Sequence, residues 1–442
     1  MANASNHDLV LPPQLQRNEQ GRFSVKGPIS GRMYGIESKY IGSVANQTKG
    51  KWVPYVTQSS LSNKRNIRGE AIVLPLTTLA PAPYKKSDIT KWYIDVIDTL
   101  DEESSKYFKR SIQIRHSQFW LLFCANTPSG LTWFGLYFQH KKNKKTTLPI
   151  SHSKCLDWTI DAIRVLPYHR DFIAPRGGAS LELGDKKVLL VGCGSIGGEL
   201  ACQIAASGVG KIVLSDPDLY NIENIYRHCL PEYCTGLYKT TGLSMKIESQ
   251  YLWTETVALT GRLDSFCDKS QLEQYDLIVV AIGAPTHERF FADFIENHNV
   301  KTPVLYTWLE GYGVGGHVIL DCRDGKGCFK CAYVDNDNEE HGLASNLNFI
   351  ECGQEVTVNH AGCGENFLPY SANASYQTAI LASNMAIKYL TGRVTKSSKS
   401  SWKGDDTDAR CAGLNMTHRY HYFDRSLMIE PLNNAFCCGE RL

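Results

Sequence analysis

The chain has 442 residues, 43% of them hydrophobic and 21% charged, an ordinary globular composition long enough for two or three domains. A formal net charge of +2 gives no global case for nucleic acid. The start, MANASNHDLVLPP, lacks the basic and apolar regions of an export signal, and the apolar run 119–125 is too short for a bilayer. A cytoplasmic protein with no membrane partner is expected, its fifteen cysteines reduced, some binding metal and some reactive.

In chain order, residues 1–31 are polar and Pro-containing and read as a loosely packed lead-in. Ile72–Ala80 and Ser111–Ile114 read as strands. Phe119–Cys124 and Leu131–Gln139 read as a strand pair around a Thr127-Pro128-Ser129-Gly130 turn. Cys124 falls in an apolar strand and reads as core. The lysines at 141, 142, 144 and 145 suit a solvated tip. Leu156–Val165 is taken as a helix. The first 165 residues thus form a smaller α+β domain, and residues 166–442 a second domain.

Lys187–Val191 suits a strand buried on both faces. Gly192, Gly194 and Gly197 follow as G-x-G-x-x-G, then a helical apolar spacing closed by Ser207-Gly208. Lys211–Ser215 is a second strand, ending on Asp216. Such a unit cradles phosphates: glycines admit the ligand to the backbone, the helix N-terminus favours negative charge, and the acid can bond a ribose. The motif alone would suit a dinucleotide-dependent dehydrogenase. Asp218, Asn224, Arg227, Gly236 and Lys239 follow, and hydride transfer does not need those cations. A nucleotide reacting at its α-phosphate does, because charge builds on the phosphate oxygens.

That ordered set, G-x-G-x-x-G, D-x-D, N-x-x-R and G-x-x-K, resembles the ThiF/MoeB superfamily, which includes the ubiquitin-activating enzymes. The segment Arg170-Asp171 through Arg176-Gly177-Gly178 is similar to the lead into the activating domain of fused conjugating/activating enzymes from bacterial antiviral operons. No conjugating domain is evident in residues 1–150. The resemblance implies a doubly wound α/β fold that uses ATP and magnesium to adenylate the C-terminus of a ubiquitin-like protein. It further implies transfer to a cysteine as a thioester, a separate conjugating enzyme as acceptor, and a homodimer. Asp216 would bond the ribose, Arg227 and Lys239 would neutralise the phosphates, Asn224 would orient them, and Arg176 would serve as an arginine finger. Two rivals share the nucleotide residues: an adenylyltransferase supplying sulfur for cofactor synthesis, and a nucleotide-binding scaffold without turnover.

Past Lys239 come a helix to about Leu252 and a strand near Val257–Leu263. Leu277–Ile282 is a parallel-type strand, and a helix runs from Thr286 to about His298. The family's magnesium aspartate falls here on Gly283 or Ala284, so Asp218 or Glu288 would have to substitute. Pro303–Trp308 and His317–Leu320 are strands around a Gly-rich turn, with Tyr306, Trp308 and His317 as packing residues. Cys328 and Cys331 form half of a zinc site; the family's second half falls on the adjacent pair Cys437 and Cys438. Residues 335–370 are a long crossing loop, which is uncommon unless functional. It carries Cys352 and Cys363, both candidates for the thioester. Cys363 is preferred, with flanking glycines that let the loop swing and a helix, Ala372–Leu390, close behind it. Cys193 and Cys411 are the weaker candidates. Ser397–Asp408 is polar and flexible, and 418–429 forms one or two last strands.

Overall fold

The structure, a computed structural model, describes residues 8–11, 22–28, 34–38, 66–76, 83, 85–127, 130–167, 170–251, 253–334, 345–359, 366–423 and 427–431. Two compact units share the chain, Met1–Ile173 and Ala174–Leu442.

The first unit is a closed barrel. Its strands are β1 (Asp8–Leu11), β2 (Arg22–Pro28), β3 (Tyr34–Ser38), β4 (Asn66–Pro75), β5 (Gln118–Thr127), β6 (Gly130–His140) and β7 (Trp158–Pro167), in the order β1-β3-β2-β4-β5-β6-β7. The lead-in expected at 1–31 therefore contains two barrel strands. The antiparallel β5–β6 pair stands where the alternation placed it. Leu156–Val165 is not a helix. Trp158, Ile160 and Ala162 are buried while Thr159 is exposed, the period of two that belongs to a half-buried strand. Ser111 ends the Glu102–Ser111 helix, opened by the Asp101 cap, so no strand forms there. Trp92, Tyr93 and Ile94 of the Ile89–Asp98 helix are buried, and Trp92 packs edge-on against Phe123 and Phe134.

The second unit is a doubly wound α/β sheet. Its strands are β8 (Lys187–Val191), β9 (Lys211–Ser215), β10 (Glu255–Leu259), β11 (Leu277–Val280), β12 (Val304–Leu309), β13 (Gly315–Asp321), β14 (Ser398–Lys403) and β15 (Leu427–Pro431). Their order is β10-β9-β8-β11-β12-β13-β14-β15. The first five are parallel; β13, β14 and β15 run antiparallel. β8 and β11 are buried along almost their whole length, as their unbroken Val, Leu and Ile runs require. The order reverses between β8 and β11. Crevices for ligands open at the carboxyl ends of strands at such a point.

Two helices pack on one face, Ser195–Ala206 and the long Ala372–Leu390, with Leu200, Ile204, Ala379, Ala382 and Ala386 in one core. Ser398–Lys403 is an inner strand rather than a flexible link. Ser400 and Ser401 are fully buried between β13 and β15, which satisfy its backbone. Residues His418–Tyr422 form a short helix before β15. Among the described residues no helix is long and apolar enough to cross a membrane.

Candidate functional site

A cleft of about 2020 Å³ opens at the carboxyl ends of β8 and β11. That exceeds the roughly 300–1,000 Å³ of a small-molecule pocket, leaving room for a nucleotide and a stretch of chain beside it.

The phosphate wall begins with three glycines in three roles. Gly192 has φ +93°, and a Cβ there would stand 2.5 Å from the Ala281 carbonyl oxygen. A Cβ on Gly197 would lie 1.8 Å from the Gly192 carbonyl oxygen, so only glycine lets helix and strand meet. A Cβ on Gly194 would meet nothing within 4 Å. Gly194 lines the cleft and precedes the Ser195–Ala206 helix, whose first N–H groups have no intrahelical partner. The fold itself does not require glycine there.

Asp216 ends β9 and is buried. Its two oxygens accept hydrogen bonds from the amides of Cys193 (2.7 Å) and Asp218 (2.9 Å), tying it across the phosphate loop. Lys239 opens the Lys239–Gln250 helix, its Nζ 2.7 Å from Asp218 and 4.0 Å from Asp216. Asn224 caps its own turn by accepting from the Asn221 amide. Arg227 follows one helical turn later, its guanidinium over the ring of Tyr370. The ordered set of the sequence thus lies on one side of the cleft, with Asp218, Asn224, Arg227 and Lys239 among its lining.

His228 belongs to this wall, and no local pattern marks it beyond adjacency to Arg227. It is buried. Its Nδ1 accepts from the Leu230 amide (3.1 Å), so Nε2 carries the proton and donates to the Cys193 carbonyl (2.7 Å). Burial lowers its pKa to about 4, so the ring is neutral at pH 7 and pins the Arg227 segment to the phosphate loop.

The opposite wall comes from β12, the turn after it, and residues 345–356 and 366–372. Glu310 organises it. Its carboxylate accepts from the amides of Phe349 (2.6 Å) and Ile350 (2.9 Å) and lies 2.8 Å from His317 Nε2. His317 Nδ1 in turn meets Ser401 Oγ at 2.8 Å. His317 is therefore a packing residue, as is Tyr306, stacked on Phe329; Trp308 is half-buried and lines the cleft. Cys352 follows Ile350 on an exposed turn of this wall. Val358 and Phe367 exchange both backbone hydrogen bonds, at 2.9 and 3.0 Å, and so are held side by side. Cys363 lies between them, outside the described residues, as do Cys437 and Cys438. Cys193 is fully buried, and burial pushes its thiol pKa well up. Cys411 is exposed but does not line the cleft. Arg176 is likewise exposed and outside the cleft lining.

Gly283, at φ +63°, is one of the two positions, with Ala284, set against the family aspartate. Glu288, on the Pro285–Asn297 helix, accepts from the Gly283 amide (3.1 Å). It is buried, and burial raises its pKa to about 7. Glu288 is thus engaged with backbone in the interior, whereas Asp218 is exposed in the same cleft; magnesium takes one or two carboxylates besides phosphate oxygens and water. Cys328 and Cys331 are buried with their sulfurs 3.8 Å apart. Two thiolates at about 2.3 Å from a tetrahedral zinc lie about 3.8 Å from each other, so this pair fits half of such a site. Among the described residues no three His, Cys, Asp or Glu side chains gather to hold a metal.

A model of the ThiF family matches residues 170–419, more than half of the chain and all of this cleft. The chain belongs to the ThiF family. Similar ThiF-related proteins include the ATP-dependent ubiquitin transferase-like protein Cap2 of Escherichia coli, 32% identical over 47% of this chain and 35% of the relative. Cap2 of Pseudomonas aeruginosa is 25% identical over 73% of this chain and 57% of the relative. The chain thus spans between about a third and just over half of the length of these two relatives. The sulfur carrier protein ThiS adenylyltransferase of Escherichia coli is 26% identical over 36% of this chain and 62% of the relative. Among solved structures, Escherichia coli MccB with ATP is similar at 18% identity over 58% of this chain and 67% of that one, with a TM-score of 0.41.

Proposed function

We propose that the chain is an ATP-dependent activating enzyme that adenylates the C-terminal carboxylate of a ubiquitin-like protein and passes it to a cysteine as a thioester. The observation that carries this reading is the phosphate wall. Arg227 and Lys239 flank the same cleft as the helix N-terminus opened by Gly194, three sources of positive potential for one phosphate chain. A modifier carboxylate oxygen would attack the α-phosphorus of ATP, and the bond to the β-phosphate oxygen would break, releasing pyrophosphate. Arg227 and Lys239 would stabilise the charge on the phosphate oxygens, with Asn224 orienting them. Lys239 would exchange Asp218 for phosphate as ATP enters. Asp216, already accepting two amides, keeps lone pairs for a ribose hydroxyl. Magnesium, held by Asp218 and the phosphates, would neutralise the leaving pyrophosphate.

The thiolate of Cys363 would then attack the acyl carbon, AMP would leave, and the thiol proton would pass to solvent. Cys363 is four residues from Phe367 on the cleft wall, a reach of at most roughly 14 Å. Cys352 is the alternative, held on a turn whose lead-in Glu310 anchors. A separate conjugating enzyme would receive the thioester. Arg176 would act across a homodimer, in the cleft of the second copy. Zinc on Cys328, Cys331, Cys437 and Cys438 would be structural, since four thiolates leave no open position; elemental analysis should find about one zinc per chain. The names of the Cap2 relatives support a ubiquitin-like partner. The ThiS adenylyltransferase likeness keeps sulfur-carrier adenylation as the second reading.

Incubation with ATP and a candidate ubiquitin-like modifier should give two products: modifier carrying AMP at its C-terminus, detected by intact mass, and a thiol-sensitive band on a non-reducing gel. Cys363→Ala should keep the first and lose the second. A band lost only in Cys352→Ala would move the nucleophile, and an AMP adduct with no thiol-sensitive band in wild type would favour sulfur-carrier adenylation.

A further inference from the structure

Lys239 and Arg227 are held in different ways. Lys239 is set by two carboxylates, Asp218 and Asp216. Arg227 makes no ion pair among the described residues; its guanidinium carbon lies 5.2 Å from the centre of the Tyr370 ring. The hydroxyl of the same tyrosine lies 2.8 Å from Ser195 Oγ. Ser195 is the first residue of the helix that follows Gly194. One side chain therefore touches both the guanidinium and the first turn of the phosphate loop.

Tyr370 is itself fixed from both sides. Pro369 accepts from the Tyr312 amide at 2.5 Å, and Leu368 packs where a Cβ on Gly311 would collide with it. Ser371 caps the Ala372–Leu390 helix by accepting from the Ala374 amide. The ring is half-buried against the main core and lines the cleft. A guanidinium lying on an aromatic face keeps its edge N–H groups free for a phosphate, whereas a carboxylate partner would occupy them.

We propose that Tyr370 is a positioning residue for nucleotide phosphate: its ring sets the direction of the Arg227 guanidinium, and the flanking Pro369 and Ser371 contacts, with the hydroxyl bond to Ser195 as a minor support, hold the ring in place. This rests on the assignment of Arg227 to ATP phosphate. The two contacts separate chemically. Tyr370→Phe keeps the ring and loses the hydroxyl; Tyr370→Leu loses both while filling most of the space.

The test is ATP affinity by calorimetry in the full chain, with thermal unfolding as the control for folding. Tyr370→Leu should weaken ATP about five- to tenfold, in keeping with the loss of a cation–π contact and of a preset guanidinium. Tyr370→Phe should stay within about twofold of wild type, because the ring is kept. In an Arg227→Ala background Tyr370→Leu should cause no further loss, because the ring acts through Arg227. A purely structural role predicts the opposite: equal losses in both backgrounds, tracking the melting temperature. That result, or wild-type affinity in Tyr370→Leu, overturns the proposal. If wild type binds ATP but supports no modifier-dependent turnover, the enzymatic reading fails while the Tyr370 cycle is still decided by binding. If Arg227→Ala binds ATP as wild type does, the phosphate assignment and the proposal fall together.

Discussion

The two walls of the cleft are built on different principles. The phosphate wall is local: residues 192–239 fold back on one strand–helix–strand unit, held by backbone geometry and by Asp216 and His228 gripping the loop. The opposite wall is assembled from distant pieces. Glu310, at the end of β12, reaches residues 349 and 350, and His317 beside it reaches Ser401 on β14. A local wall can be replaced residue by residue with local consequences. A wall hung on one carboxylate should loosen as a unit when that carboxylate changes.

The largest effect should come from Gly197→Ala. The added methyl meets the Gly192 carbonyl at 1.8 Å, and backbone cannot give way cheaply. We expect a loss of about 3 kcal/mol or more, seen as little folded protein or a sharply lowered denaturant midpoint. Gly194→Ala is the contrast: its Cβ meets no protein atom, so the midpoint should hold while ATP affinity falls. Equal stability losses at the two positions would break the distinction between a glycine needed by the fold and one needed by the ligand.

Next, Arg227→Ala and Lys239→Ala should each lower pyrophosphate exchange by on the order of a hundredfold without unfolding the chain. Asp216→Ala should also affect the fold, since two loop amides lose their acceptor.

His228 gives the phosphate wall a pH signature. Its folded pKa of about 4 lies below the usual value of 6.5, so the unfolded chain binds a proton that the fold refuses. This stability is fully present above about pH 6.5 and is lost as the pH falls towards 4. Comparing wild type with His228→Gln in denaturant at pH 7 and pH 4.5 should show a smaller acid loss in the variant, by up to about 3 kcal/mol. Identical pH slopes would contradict the neutral, Nε2-protonated ring.

The smallest effect tests the assembled wall. Glu310→Gln places an amide opposite the Phe349 and Ile350 amides, leaving one donor unmatched at a cost of about 1–2 kcal/mol. Hydrogen exchange should rise together at residues 349–350, 358 and 367 and stay unchanged in the Gly-rich loop. A change confined to residue 349 alone would show that the wall is not one unit.

The same contrast explains what the sequence made legible. Gly192, Gly194, Gly197, Asp216 and Lys239 stood out because strand, turn and helix periods run together over a short span. The Ala372–Leu390 helix emerged with the same bounds from its spacing and its Thr391-Gly392 end. Ser398–Lys403 did not, because serines buried between two strands carry no hydropathy signal. Glu310, His317, His228 and Tyr370 act through partners that are distant in sequence or lie on the backbone, and no local pattern marks them. Trp158–Pro167 failed for another reason: a short apolar run fits either period, and here the period of two won.

The proposed function requires that the phosphate wall activate a carboxylate rather than bind a redox cofactor. The most direct measurement is exchange of labelled pyrophosphate into ATP by the purified chain, with and without a candidate ubiquitin-like protein, and with NAD binding measured in parallel. Exchange should require the modifier's intact C-terminus, disappear in Arg227→Ala, and be indifferent to NAD. Tight NAD binding with no exchange under any condition would contradict the proposed function.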